Sequence, residues 1–277
     1  MNPLFEGIAA NDAKDLVNFI IMTLHLELNN VKKENNNLNN NVIIDQRNLF
    51  LVYQNFYQNT LRNNNSIISD LFYAINCNIT LCSNCQAQIY NCQIYFFLVF
   101  PLEEVRKYKM QLMYNQFNYN NFNGNFNINE VNLNDCFDYD RKQNFMTGEN
   151  SMYCNYCRGN HGCYMFTNLI TGPKILILLL NRGKGIEFNV KLNFPDKLNL
   201  LNYIQDKNSG FMYKLIGVIT HIGESGMGGH FIAYCVDPIT NRWNKYNDAI
   251  VTEVKDFQNE IINFAMPYLL FYQKLNA

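Results

Sequence analysis

The residues of this sequence whose types and spacing can do chemistry are a histidine, an amide–carboxylate pair and two close pairs of cysteines. His230 follows a glycine-rich loop and opens an apolar, β-prone run from Phe231 to Val236. Gly223, Gly226, Gly228 and Gly229 allow that loop to approach a ligand backbone closely, because glycine has no Cβ and tolerates positive φ. Asn247-Asp248, after Trp243 and Tyr246, can close back beside His230 as its orienting partner. A base held by a carboxamide or carboxylate makes two members of a nucleophilic triad, with the nucleophile missing. A lone histidine at a strand start also serves structural roles, and spacing alone leaves both readings open.

Cys82-Ser83-Asn84-Cys85 and Cys154-Asn155-Tyr156-Cys157 are two C-x-x-C knuckles. Each can place two thiolates on one metal, and two together complete the tetrahedral four-sulfur set that Zn²⁺ prefers. Such a closed shell is structural, since it has no open position for catalysis. Unconnected buried or redox cysteines are the alternative. The stretch between the knuckles is much longer than in a simple zinc ribbon, so the chain must leave and return, expected as a β excursion. Cys77, Cys92, Cys136, Cys163 and Cys235 lack such partner spacing and read as core or incidental. His161 lies near the second knuckle, outside a shell that four cysteines fill.

The elements that must position these groups draw on 277 residues, 48% apolar and 14% aromatic, enough for one large domain or two small ones. A net charge of −1 argues against a nucleic-acid binder that works by neutralising phosphates. The apolar runs Ile94 to Phe100 and Ile175 to Leu180 are too short to span a bilayer, and the N-terminus lacks the pattern of a signal peptide. Close C-x-x-C pairs without a secretion signal favour a reducing compartment, the cytoplasm or nucleus.

A first helix is expected after Asn11 as N-cap, with Asp12 and Asp15 in its first turn and Ala13, Leu16, Val17, Ile20 and Leu24 on one core-facing stripe; His25 reads as a surface residue. From Asn29 to Asn65 the asparagine runs are expected to form loops, with an ordered but untyped piece from Val42 to Tyr57. Asn115 to Asn134 reads as a long hairpin or a loop. Pro173 followed by Ile175 to Leu180 reads as a strand covered on both faces, and Phe188 to Phe194 as the next strand. His221 is assigned to packing or loop support.

Several of these segments together resemble the ubiquitin-specific protease family, papain-like cysteine peptidases that cleave ubiquitin from proteins. The resemblance rests on Gly229-His230-Phe231-Ile232-Ala233, Trp243, Asn247-Asp248, the strand Tyr213 to Ile219, the closing strand Pro267 to Tyr272, both knuckles with their flanks, and Asn11-Asp12-Ala13-Lys14-Asp15-Leu16. It covers nearly the whole chain, in family order, outside the asparagine-rich inserts. It implies an α+β, papain-like fold with a thumb remnant (1–30), zinc-bearing β fingers (66–165) and a β palm (170–277). It further implies His230 as general base, Asn247 as the third triad member with Asp248 supporting it, and Asp12 with Gly228 and Gly229 as contacts of the ubiquitin tail. Cys82, Cys85, Cys154 and Cys157 become ligands of structural zinc, and ubiquitin and ubiquitinated proteins become the partners, with neither nucleic acid nor membrane. Gly183 departs from the aromatic that the family places after the arginine at Arg182.

The family's nucleophile sits in a Gly-Asn-x-Cys box upstream of the Asp12 motif, and no cysteine here stands in such a box. The expectation is therefore part of a thiol-dependent deubiquitinase that supplies base and orienter without the nucleophile. The alternatives are an inactive ubiquitin-binding module and a zinc-dependent interaction protein unrelated to ubiquitin. Without the rest of the thumb, apolar surface on the first helix should lie uncovered.

Overall fold

The computed structural model describes residues 12–31, 45–118, 128–183, 189–223, 229–263 and 266–275. The chain opens with α1 (Ala13–Leu28), α2 (Leu49–Asn63) and α3 (Ile67–Phe72), then runs through β1 (Ala74–Cys82), β2 (Gln88–Tyr95) and β3 (Phe97–Pro101). Next come α4 (Leu102–Asn118), β4 (Glu130–Asn132) and α5 (Leu133–Asp140), followed by β5 (Asn144–Met146), β6 (Met152–Cys154), β7 (Gly159–His161) and β8 (Cys163–Leu169). Strands then dominate: β9 (Ile175–Asn181), β10 (Lys191–Asn193), β11 (Lys197–Asn199), β12 (Met212–Ile222), β13 (His230–Val236), β14 (Trp243–Asn247), β15 (Ile250–Glu253) and β16 (Pro267–Lys274).

The sheet that carries the histidine has the order β15-β14-β13-β12-β16-β9-β3, with β11 beside β12. Its pairs are antiparallel except β3 on β9. β9 lies between β16 and the edge strand β3 and is apolar on both sides because both faces are covered. Leu176, Leu178 and Leu180 join Phe100, Val105 and Phe137 in the main core, while Ile177 and Leu179 meet Ile21 of α1 and Ile68 of α3 on the other face. Each fully buried leucine contributes about 1.5–3 kcal/mol relative to exposure. A second sheet, β2-β1-β8-β5, carries the first cysteine knuckle at the tip of the β1–β2 hairpin, and the small hairpin β6-β7 carries the second.

Several expectations are corrected. Asp12 caps α1, its Oδ1 accepting from the Lys14 N–H at 2.8 Å; Asn11 lies outside the described residues. The stripe that packs is Val17, Ile21 and His25, because α1 meets the sheet through Ile21 and His25 is drawn in to the Ser66 hydroxyl, 2.8 Å from its Nδ1. Leu16, Ile20 and Leu24 are exposed instead, and His25 is buried rather than superficial. Within the asparagine-rich stretch, Leu49 to Asn63 is a helix, since Leu49, Val52, Tyr53 and Phe56 pack on the β1–β2 side; the runs at Asn35 and Asn39 lie outside the described residues. The stretch from Asn115 begins as the last turn of α4, and β4 pairs in parallel with β10, which leaves β10 out of the large sheet. Phe188 lies outside the described residues. Between the knuckles the chain makes more than a β excursion, contributing β3 to the large sheet and the helices α4 and α5.

Candidate active site and metal centre

His230 is the first residue of β13, and its ring meets the end of the neighbouring strand. The register Ala233↔Tyr246 puts residues 230 and 247 on one face, and the two-residue turn at Asp248-Ala249 stops β14 there. Asp248 adopts φ 50°, a left-handed conformation that aspartate tolerates through its short polar side chain. Nε2 of His230 lies 2.5 Å from Asn247 Oδ1 and 3.7 Å from Asp248 Oδ2. With Nε2–H donating to the amide oxygen, Nδ1 keeps its lone pair and can take a proton from a group placed before it. Gly229 precedes it with no room for a side chain: a Cβ there would sit 2.4 Å from the Ile222 carbonyl oxygen and 2.4 Å from the His221 ring. Glu224 to Gly228 lie outside the described residues.

A chain of side chains links this corner to α1. His221 stands edge-on to Phe231 at 4.9 Å between ring centres, in keeping with a packing role, and Phe231 meets Tyr268 at 5.4 Å. The Tyr268 hydroxyl lies 2.8 and 2.7 Å from the two oxygens of Asp12. Burial and the Asp12 carboxylate push the Tyr268 phenol far above its ordinary value, so it stays protonated and acts as the donor.

No cysteine accompanies His230. All nine cysteines fall elsewhere, and Cys235, on the same strand, is five residues away, about 16 Å by strand rise and on the opposite face. Four of the nine form a separate cluster in which the sulfurs of Cys82, Cys85, Cys154 and Cys157 lie within 4.8 Å of one another. Cys82 and Cys157 are 3.9 Å apart, and Cys85 and Cys154 3.6 Å. A tetrahedron with metal–sulfur bonds of about 2.3 Å has edges of about 3.8 Å, so four cysteines in this arrangement can bind zinc. The knuckles close alike: the Gln86 N–H donates to the Cys82 carbonyl at 3.0 Å, and the Arg158 N–H to that of Cys154 at 2.8 Å. Gln86 and Arg158 both turn left-handed, at φ 59° and 55°. The N–H of Cys157 helps pull the Cys154 thiol down to about 6; Asn84 pulls the Cys157 thiol down as well, but burial and the neighbouring sulfurs push it up to about 12. Four sulfurs this close ionise together only with a cation among them.

A family model described as Ubiquitin carboxyl-terminal hydrolase matches residues 1–272. The chain belongs to that family. It is 27% identical over 279 aligned residues to human ubiquitin carboxyl-terminal hydrolase 2, covering 98% of this chain and 41% of the relative. It is 24% identical to Drosophila melanogaster Usp2 over 98% of this chain and 26% of the relative, so it spans less than half the length of either. Among solved structures, the SAGA Ubp8(S144N)/Sgf11/Sus1/Sgf73 DUB module superposes with a TM-score of 0.63 at 20% identity, over 97% of this chain and 51% of that one. The SAGA DUB module bound to monoubiquitin gives 0.58 at 20% identity, over 82% and 46%. The fold is that of the ubiquitin-specific proteases, α+β as expected.

Within this hydrolase family fold, the structure brings His230, Asn247 and Asp248 into one group and the four knuckle cysteines into another. Asp12 joins neither, and Gly228 lies outside the described residues. Sequence reasoning missed Tyr268 as the partner of Asp12: it appeared only as one aromatic of an apolar strand, with nothing in its spacing to mark a polar tip aimed at a helix start.

Proposed function

We propose that this chain is the base-bearing part of a thiol-dependent deubiquitinase that hydrolyses the isopeptide bond after ubiquitin's terminal glycine. The observation that carries this reading is the His230–Asn247 contact at 2.5 Å, with the Nδ1 lone pair left over. A cysteine supplied from outside this sequence would give its proton to His230 Nδ1, and the thiolate would attack the carbonyl. His230 would return the proton to the leaving amine, and water, deprotonated by the same ring, would release the thioester. Asn247 holds the imidazole in the tautomer this needs, and Asp248 stabilises the imidazolium. Asp12 and the Gly228-Gly229 backbone would meet the extended ubiquitin tail. Zinc held by Cys82, Cys85, Cys154 and Cys157 would supply a structural crosslink. The setting would be the reducing cytoplasm or nucleus.

A second reading is an inactive ubiquitin-binding module, favoured by the separation of all nine cysteines from His230. One comparison tests both. The 277-residue chain, and the same chain joined to whatever upstream codons continue in frame, are assayed for binding of ubiquitin and release of a fluorophore from its C-terminus. Turnover only in the extended protein, lost on His230→Ala, supports the first reading. Binding without turnover in both supports the second, and neither binding nor turnover in either protein refutes both.

A further inference from the structure

We propose that Cys77 and Cys92 are a redox-active pair that closes into a cross-strand disulfide and so staples the hairpin that carries Cys82 and Cys85. Neither residue belongs to the histidine site or the four-sulfur cluster, yet they stand directly opposite each other in the antiparallel register of β1 and β2. Such partners alternate between pairs that exchange backbone hydrogen bonds and pairs that do not. The second kind brings the Cα atoms to about 4.5 Å, inside the ~4.4–6.8 Å that a disulfide spans.

Two backbone contacts fix the phase. The Cys82 N–H donates to the Ala87 carbonyl at 3.0 Å, which makes 82 and 87 a bonded pair and leaves 77 and 92 in the non-bonded class. Consistently, the Tyr90 N–H, two residues from Cys92, turns away from β1 and donates to the Gln46 carbonyl at 3.0 Å. Both cysteines are buried on the face shared with Ile75 and Ile79, and each thiol shifts the titration of the other, Cys77 downward and Cys92 upward. Cys82 and Cys163 also face each other across β1 and β8, but Cys82 is committed to the cluster. β2 is the edge strand of its sheet, so local opening of that edge gives an oxidant access.

Closure is a two-electron oxidation by a peroxide. The Cys77 sulfur, held below its ordinary thiol value by the neighbouring Cys92 thiol, attacks hydrogen peroxide to give a sulfenic acid and water. Cys92 displaces the hydroxyl as a second water, forming the sulfur–sulfur bond. Two thiols and one peroxide thus yield one disulfide and two waters, and a dithiol reverses the step. The covalent ring encloses the first knuckle, so its cysteines cannot separate from the sheet by unzipping β2.

The test uses the full zinc-loaded chain, treated with one equivalent of hydrogen peroxide and then alkylated and digested. The expected result is a peptide linking Cys77 to Cys92, cleaved by dithiothreitol, and zinc release to a chelator slowed by about tenfold in the oxidised protein. Recovery of Cys77 and Cys92 both alkylated after oxidation overturns the proposal, as does a linked peptide without slower release. Cys92→Ser should abolish both effects; because the linked peptide is read in the unsubstituted protein, the test does not depend on that variant folding.

Discussion

The Tyr268 hydroxyl donates to the Asp12 carboxylate, 2.7 and 2.8 Å from its oxygens, and so joins residues 256 positions apart: the cap of the first helix and the closing strand of the large sheet. Tyr268→Phe removes the donor while keeping the ring on Phe231, and should cost about 1.5–3 kcal/mol, as bonds to charged groups do. Denaturant unfolding of the zinc-loaded chain measures it; an unchanged midpoint would show that solvent replaces the bond at no cost.

His230→Ala should abolish turnover in a protein that supplies the nucleophile, and Asn247→Ala should lower kcat by about 10²–10⁴ with little change in KM. Steady-state hydrolysis of a ubiquitin C-terminal fluorogenic substrate separates the two constants. A rise in KM alone would place Asn247 in binding.

Chelation of the four-sulfur cluster should loosen both knuckles, because the sulfurs then repel or protonate without a shared cation. The expected stoichiometry is one zinc per chain, falling to none in Cys154→Ser, with earlier thermal unfolding in both cases. Calorimetry with metal analysis reads both quantities.

Burial pushes the Asp140 carboxyl up to about 6 from an ordinary value of 3.8. The folded state therefore holds this proton more tightly than the unfolded one, and stability falls as pH rises from about 4 to 6, the penalty being complete above that. Asp140→Asn removes it, so the variant should be more stable at pH 7 by about 1–2 kcal/mol and indistinguishable near pH 4. Unfolding curves at both values check the sign.

Leu16, Ile20, Leu24 and Leu28 leave one side of α1 exposed and apolar. The isolated 277-residue chain should self-associate, and Ile20→Lys should reduce this without loss of helix. Light scattering beside circular dichroism decides; a monomer that unfolds cooperatively without the substitution would contradict it.

How much of this was legible beforehand divides by the range of the interactions. The knuckles, the His230 strand and the doubly buried β9 were readable because their signals are local: two cysteines a turn apart, a glycine before a base, an unbroken apolar run. The register of α1 was not. Its apolar residues cover more than one stripe, and only the Ser66 hydroxyl, reached from another helix, decides that His25 turns inward. α2 was hidden by asparagine, whose weak helix propensity yields to the packing of Leu49, Val52 and Phe56 on the hairpin. The Cys77–Cys92 opposition depends on hairpin register, which spacing alone did not supply.

The route between the knuckles sets an order of assembly. After Cys85 the chain runs through β2, β3, α4 and α5 before it returns to place Cys154 and Cys157 beside their partners, where β8 pairs with β1. Closing that long loop is slow, and no metal-binding set exists until it is closed. Metal capture therefore comes late in folding, and an ion bound early by one knuckle alone would have only half its sulfurs.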